Sequence, residues 1–364
     1  MTIKHIEEYR DAALAQQLAE KIRRTSRRRI RLMEVCGTHT VSIFRHGIRT
    51  MLPETVSLLS GPGCPVCVTD QAEIDTFIEL SKQPDVIITT FGDLMRVPGS
   101  ESSLQRERAE GRDIRIVYST MDALAVAQKN PTKQVIFLGV GFETTAPTIA
   151  AAIRSAAQMN LKNFCVTCAH KTVPQALEAL ASLDDVRING LILPGHVSVI
   201  IGMNAYRLFF ERHRLPSVVS GFEPADILQA IAMLIEQIES DSPRLENAYP
   251  RAVTESGNLK ALKILSDVFE PADACWRGIG LIPMSGLKIR DAYAEFDAAC
   301  RFAIELPEAR VPKGCVCGES LTGKKTPPEC ALYKKVCTPM EPVGPCMVSS
   351  EGTCAAYYRY HYEA

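Results

Sequence analysis

The chain has 364 residues, 46% of them hydrophobic and 23% charged, with a formal net charge of −1 at pH 7. That length allows two or three domains with cores of their own, and the charge balance gives no general reason to expect nucleic acid or an acidic membrane as partner. The opening residues are too charged for a signal peptide and no apolar run approaches the roughly 20 residues that span a bilayer, so a cytoplasmic location is expected.

In a reducing compartment the 13 cysteines point to metal or redox chemistry rather than a disulfide framework. Residues 6–24 read as an amphipathic helix with Ala12, Ala13, Leu14, Leu18, Ala19 and Ile22 on its apolar side. The basic run from Arg23 to Arg31 reads as a solvated helix end and linker. Short, nearly continuous apolar runs then alternate with helical patterns, at 30–35, 55–59, 86–90, 114–118, 135–140, 164–167, 191–193 and 217–219. Strands of this kind indicate parallel sheets with helical crossovers. A single barrel is one solution; two open sheets of about four strands each, divided near 119–131, is the preferred one. Beyond Glu223 the pattern turns helical (225–238, 259–269, 293–304) with no strong strand, and Cys275 and Cys300 read as core. The expected organisation is a helix and linker over 1–29, a first α/β domain over 30–125, a second over 126–235, and a mainly helical or irregular, cysteine-rich domain over 236–364.

In parallel sheets, ligands collect beyond the C-terminal ends of the strands. Those ends carry Cys36-Gly37-Thr38-His39, then Gly61-Pro62-Gly63-Cys64-Pro65-Val66-Cys67, then Thr90-Phe91-Gly92-Asp93. Two thiols spaced as Cys64 and Cys67 can form a disulfide or share a metal, and the amides of a following helix favour a thiolate. A structural zinc half-site or two inert buried thiols stand beside that reading. Gly139-Val140-Gly141 lacks the third glycine of a dinucleotide loop, and Glu143 would repel phosphate. Thr144 and Thr145 suit a helix cap as well as a binding role, and His196 suits a ligand, a proton carrier or a structural hydrogen bond. Cys165 and Cys168 form a second CxxC, but on one strand they face differently, so no joint redox role is expected.

The tail from residue 311 onward holds Cys315, Cys317, Cys330, Cys337, Cys346 and Cys354 among prolines, with too few large apolar residues for a core of its own. Metal binding contributes folding free energy in such segments. Four thiolates suit zinc or a 4Fe-4S cluster; the wide, irregular spacing without paired knuckles fits the cluster better, with structural zinc as the alternative.

Taken together, Met33-Glu34-Val35-Cys36-Gly37-Thr38-His39-Thr40, the Cys64 to Cys67 turn, Thr90-Phe91-Gly92-Asp93 with Met95-Arg96-Val97-Pro98-Gly99, Gly141-Phe142-Glu143-Thr144-Thr145, Pro194-Gly195-His196-Val197-Ser198 and Val348-Ser349-Ser350-Glu351-Gly352 resemble the signatures of the HypD family of hydrogenase maturation factors, almost from end to end. The resemblance implies two α/β domains of similar topology plus an iron–sulfur domain. It also implies a cytoplasmic role in building the Fe(CN)2CO group of NiFe hydrogenases. The implied partners are a HypC-type small chaperone that shares the iron and HypE, which delivers cyanide. By the same resemblance Cys36 binds Fe with His39 beside it, Cys64 and Cys67 are a redox pair, and Cys317, Cys330, Cys337 and Cys354 hold a 4Fe-4S cluster, with Cys315 and Cys346 as extra thiols. Glu143, Thr144, Thr145 and His196 would line the cleft. The alternative from another class is a freestanding thiol or iron–sulfur oxidoreductase.

Overall fold

The computed structural model describes residues 9, 11–183, 187–306 and 308–361. The first helix spans Ala12–Thr25 and is capped by Asp11, whose carboxylate accepts from the N–H of Ala13 at 2.7 Å. Of the helix expected from the sequence, residues 6–8 and 10 lie outside the described residues. Ala12, Ala13 and Leu14 face solvent; the buried stripe is Ala15, Leu18, Ala19 and Ile22, the spacing that lines one side of an α-helix. That stripe packs on the helix Pro224–Glu239. The basic run is tied to the end of the same helix, with the Arg28 guanidinium donating to both carboxylate oxygens of Asp241 (2.6 and 2.7 Å).

The eight expected strands form: β1 (Ile30–Glu34), β2 (Val56–Ser60), β3 (Val86–Thr90), β4 (Ile114–Ile116), β5 (Gln134–Gly139), β6 (Phe164–Cys168), β7 (Gly190–Pro194) and β8 (Ser217–Ser220). A short β9 (Leu245–Asn247) joins them. They make two open parallel sheets, of order β2-β1-β7-β8-β9 and β4-β3-β5-β6, with no barrel. The sheets are nested in the chain rather than consecutive. After β2 the chain leaves to build the whole of the second sheet, then returns to lay β7 beside β1. The expected division into 30–125 and 126–235 is corrected accordingly. The helix Thr120–Lys129, read as a break, is one more crossover, and β5 pairs with β3 inside one sheet.

Each sheet has one place where successive connections run in opposite directions, which opens a crevice between two strand ends. In the first sheet it lies between β1 and β7, so the residues following them are Val35-Cys36 and Gly195-His196. In the second it lies between β3 and β5, followed by Phe91-Gly92-Asp93 and Val140-Gly141-Phe142-Glu143.

Beyond Glu223 the sequence hides an antiparallel hairpin, β10 (Phe269–Trp276) and β11 (Gly280–Ile289). Its alternating pleat buries Trp276 and turns Cys275 out to solvent, and Cys300 in the short helix Ala298–Arg301 is also exposed. The expectation that these two cysteines are core is therefore corrected. The C-terminal segment has short helices, Cys317–Leu321, Pro345–Val348 and Thr353–Tyr360. It has no separate core; Leu321, Met347, Val348 and Tyr357 pack into the same cluster as Val66, Cys67 and Met33. Among the described residues no helix is long and apolar enough to cross a membrane.

Candidate functional site

Cys36 follows β1 directly and caps the helix Gly37–Arg45, with extended backbone at φ −149° and ψ 125°. Because β1 and β2 are parallel neighbours in register Glu34 with Ser60, the turn after β2 must lie beside Cys36. The N–H of Gly61 donates to the Glu34 carbonyl (2.8 Å) and that of Gly37 to the Gly63 carbonyl (2.9 Å). A side chain on Gly63 would overlap the backbone N and Cα of Cys36, so only glycine permits this approach. The turn delivers Cys64 as the cap of the helix Pro65–Val68, its Sγ accepting from the N–H of Cys67 (3.3 Å). All 13 cysteines are free thiols, and Cys36, Cys64 and Cys67 are buried.

Burial, joined by the Glu351 carboxylate, pushes the Cys36 thiol up to about 11, while the amides of His39 and Thr38 and the Thr38 hydroxyl pull the other way. A soft metal arriving here would have to displace a proton. His39 is fully buried and its Nε2–H donates to the Gly221 carbonyl (2.8 Å). Burial holds its pKa down at about 4, and its Nδ1 is buried without a partner, so it keeps a free lone pair next to the thiol's helix turn. The ring stacks on Phe222 (4.6 Å between centroids), whose other face stacks on His196 (3.8 Å). His196 is exposed and so forms the outer layer of that stack.

Glu143 sits at the other crevice. Its Oε1 accepts from the N–H of Val173 (2.9 Å), its Oε2 is buried without a partner, and burial raises it to about 7. Thr144 is half-buried, and the Thr145 hydroxyl is turned back onto the Phe142 carbonyl (3.2 Å), a helix-start role. Between the crevices stands Tyr206, fully buried, whose phenol is pushed up by burial and further by both Glu143 and Cys36. Ser198 gives its hydroxyl proton to the Pro194 carbonyl (2.8 Å), so Tyr206 donates to Ser198 (3.0 Å).

The C-terminal segment closes this rim. Glu351 lies so close to Gly37 that an added Cβ there would meet the Glu351 Cβ at 2.6 Å. Thr38 donates its hydroxyl proton to Glu351 (2.6 Å), and Ser349 donates to Asp93 (3.3 Å), joining the first crevice to the second. Arg96 donates to the Pro339 carbonyl (2.7 Å). The same segment brings Cys315, Cys317, Cys330, Cys337 and Cys354 around one small cavity with Val316, Leu332, Tyr333 and Met347. Cys346, wholly buried, lies between that group and the turn, in hydrogen-bonding contact with Cys317, Cys354 and Cys67. Among the described residues, no three His, Cys, Asp or Glu side chains converge on a single-ion site. A ring of thiols with otherwise mainly apolar walls is nevertheless the donor set a four-iron cluster takes.

The fold thus gathers Cys36, His39, Cys64, Cys67 and His196 at one crevice, places Glu143 at the other, and sets the tail cysteines behind the turn. Sequence reasoning assigned no role to Phe222, Tyr206, Ser198 or Glu351. Ser198 and Glu351 lie inside the stretches singled out as signatures, and Phe222 lies just beyond the expected strand at 217–219, which were the signals for them; Tyr206, within Met203–Tyr206, had none.

A nested pair of parallel sheets that presents one thiol at a crevice, a CxxC turn against it and a thiol-lined cavity behind is an α/β architecture compatible with metal binding through sulfur. The sequence profile of the family described as HypD, Hydrogenase formation hypA family, matches residues 13–361. The chain is 46% identical over 367 residues to the hydrogenase maturation factor HypD of Azotobacter vinelandii (98% of this chain, 97% of that one) and 45% identical over 368 residues to that of Cupriavidus necator (98% and 97%). It is 43% identical over 366 residues to HypD of Escherichia coli (98% of each chain). The chain belongs to the HypD family of hydrogenase maturation factors.

Proposed function

We propose that this protein, with a HypC-type small chaperone, holds one Fe(II) while cyanide and carbon monoxide are added to form the Fe(CN)2CO group of NiFe hydrogenase. The supporting observation is the placement of Cys36 at a topological crevice with the Cys64/Cys67 turn packed backbone to backbone against it. Iron is the cargo. Cys36 thiolate and a cysteine of the chaperone bind it, thiolate being a soft, strongly donating ligand suited to iron that carries cyanide and carbon monoxide. Cyanide arrives from HypE as a thiocyanate on a carrier chain. Its S–C bond breaks as the Fe–C bond forms, and the carrier leaves as a thiol. Cys64 and Cys67 supply the two electrons by closing to a disulfide; of their two protons, one goes to the carrier sulfur and one to solvent.

Cys317, Cys330, Cys337 and Cys354 fit a 4Fe-4S cluster, with Cys315 in the same cavity as the competitor of Cys317 for one place. A bound cluster supplies electrons singly for re-reducing the Cys64/Cys67 pair. Cys346, touching both Cys67 and Cys317, occupies the interval between them. His39 is neutral near pH 7 and orients the helix start through Gly221, while His196 and Phe222 offer a flat, exposed platform for the carrier tail. Glu143, Thr144 and Thr145 line the far side.

The test is infrared spectroscopy of the anaerobically purified complex with the chaperone. Cys36→Ala abolishes the iron–cyanide bands and leaves the visible absorption of the cluster intact. Bands that persist in the variant remove Cys36 from the role.

A further inference from the structure

The tip of the hairpin β10–β11 carries a buried arginine for which ligand assembly gives no reason. Arg277 is 7% exposed. Its Nε donates to the Thr69 carbonyl (3.0 Å), its Nη1 to Oε1 of Gln71 (3.1 Å), and its main-chain N–H to the Val68 carbonyl (2.9 Å). These bonds lock the guanidinium onto the C-terminal end of the short helix that carries Cys67. The remaining amino group, Nη2, is buried and has no partner in the protein. Arginine cannot shed its charge, and leaving a buried donor on a charged group unpaired is costly. That donor is free to serve an acceptor brought from outside the chain.

Arg277 lines a cavity of about 370 Å³ with Asp70, Cys315, Cys317, Glu319 and Gly344; it adjoins the small thiol-lined cavity, the two having Cys315, Val316 and Cys317 in common. The hairpin tip reaches it because Gly278 (φ +82°) and Gly318 meet backbone to backbone, a Cβ on either colliding with the other.

Resting on the reading that these thiols hold an iron–sulfur cluster, we propose that Arg277 is a positioning residue that raises the reduction potential of that cluster through its fixed charge and its free N–H donor. Reduction adds one negative charge to the cluster, and a dry guanidinium beside a ligand thiolate stabilises that charge more than the oxidised state. Charge, hydrogen bonds to sulfur and solvent exposure are the terms that set such potentials. Held by Val68, Thr69 and Gln71, the same residue ties the cluster to the segment bearing Cys67, so its position fixes both ends of the electron path.

The experiment is a redox titration of the full-length protein, purified anaerobically and followed by electron paramagnetic resonance, with iron and sulfide counted per chain. In Arg277→Gln the reduced-to-oxidised ratio at the unmodified protein's midpoint falls at least tenfold, about 59 mV for a one-electron couple. Gln71→Glu leaves Arg277 in place and puts a carboxylate against it, and the midpoint moves the same way by less; this variant decides the matter if Arg277→Gln does not fold. Full iron and sulfide with an unmoved or more positive midpoint in the folded variants overturns the proposal. Absence of iron and sulfide from the unmodified protein overturns the cluster reading beneath it, and this inference with it.

Discussion

The two sheets end in similar chemistry put to different use. The first finishes β1 with Cys36 and, three residues on, His39; the second finishes β6 with Cys168 and, two residues on, His170. At the first, the thiol faces helix amides and the histidine bonds elsewhere, through Nε2 to the Gly221 carbonyl, with Nδ1 left free. At the second, the Cys168 thiol donates to the Leu287 carbonyl (2.9 Å) and lies 3.0 Å from His170 Nδ1, with the hairpin strand β11 laid over both. Burial pushes Cys168 up to about 12 and holds His170 down at about 3. The pair stays a neutral thiol and a neutral imidazole, already bonded to the protein. A thiol and a histidine on a strand end do not make a site; a crevice left open between oppositely running connections does. Cys36 lies in one and Cys168, on an edge strand, does not.

The sharpest way to break this contrast is to exchange the losses. Cys36→Ala removes the iron–cyanide bands altogether, whereas Cys168→Ala leaves them at full intensity and costs only about 1 kcal/mol of stability for the bond to Leu287. Loss of bands in Cys168→Ala, with the protein folded by circular dichroism, would make the second rim part of the chemistry and end the distinction drawn here.

A second contrast concerns the glycines beneath each thiol–histidine pair. A Cβ on Gly63 overlaps backbone atoms of Cys36 and comes within 2.5 Å of the Val35 carbonyl carbon, none of which can yield without moving β1. On Gly139 it meets the His170 ring at 3.0 Å and the Thr167 carbonyl at 3.1 Å, a tight fit that small shifts relieve. Gly63→Ala is expected to cost about 3 kcal/mol or more and Gly139→Ala about 1 kcal/mol, both read from denaturant unfolding of the anaerobic protein. Equal losses would mean the turn is not pressed against Cys36.

How far this was legible in the residues follows from what each element presents to the chain around it. Strands such as β3 and β5 are buried along nearly their whole length and so read as unbroken apolar runs. The edge strand β9 is half-buried at each of its three residues and carries no pattern. The hairpin contains Pro271, Pro283 and three glycines, residues that a two-stranded ribbon tolerates because each strand has a free edge, and these residues read as turns. Adjacency of Cys36 to Cys64 was within reach, since both follow strands separated by a single connection. The insertion of one sheet inside the other was not, because nothing local in β7 says that it pairs with a strand about 160 residues earlier. Arg277 was invisible for the same reason: its partners Thr69 and Gln71 lie about 200 residues earlier in the chain.

A further expected effect tests whether the rims are electrostatically alike. Each has a buried glutamate with one bonded oxygen and one without a partner: Glu34 at the end of β1, accepting from Ser60 (2.7 Å), and Glu143 after β5. Burial raises both to about 7 from the ordinary 4.5. A carboxyl whose folded pKa lies above its unfolded one favours the native state most fully below about 4.5. That contribution is lost as pH rises through about 7, on the order of 3 kcal/mol for each glutamate. Unfolding free energy should therefore fall between pH 5 and pH 8. Glu143→Gln keeps the acceptor for Val173 and removes its share of the slope, leaving a variant that matches the unmodified protein at pH 5 and exceeds it at pH 8. Glu34→Gln removes a similar slope but also the attraction of Arg49, which opposes the burial of Glu34 alone, so its gain at pH 8 is the smaller of the two. A Glu143→Gln variant that keeps the full slope would place the proton elsewhere and dissolve the likeness between the two strand ends.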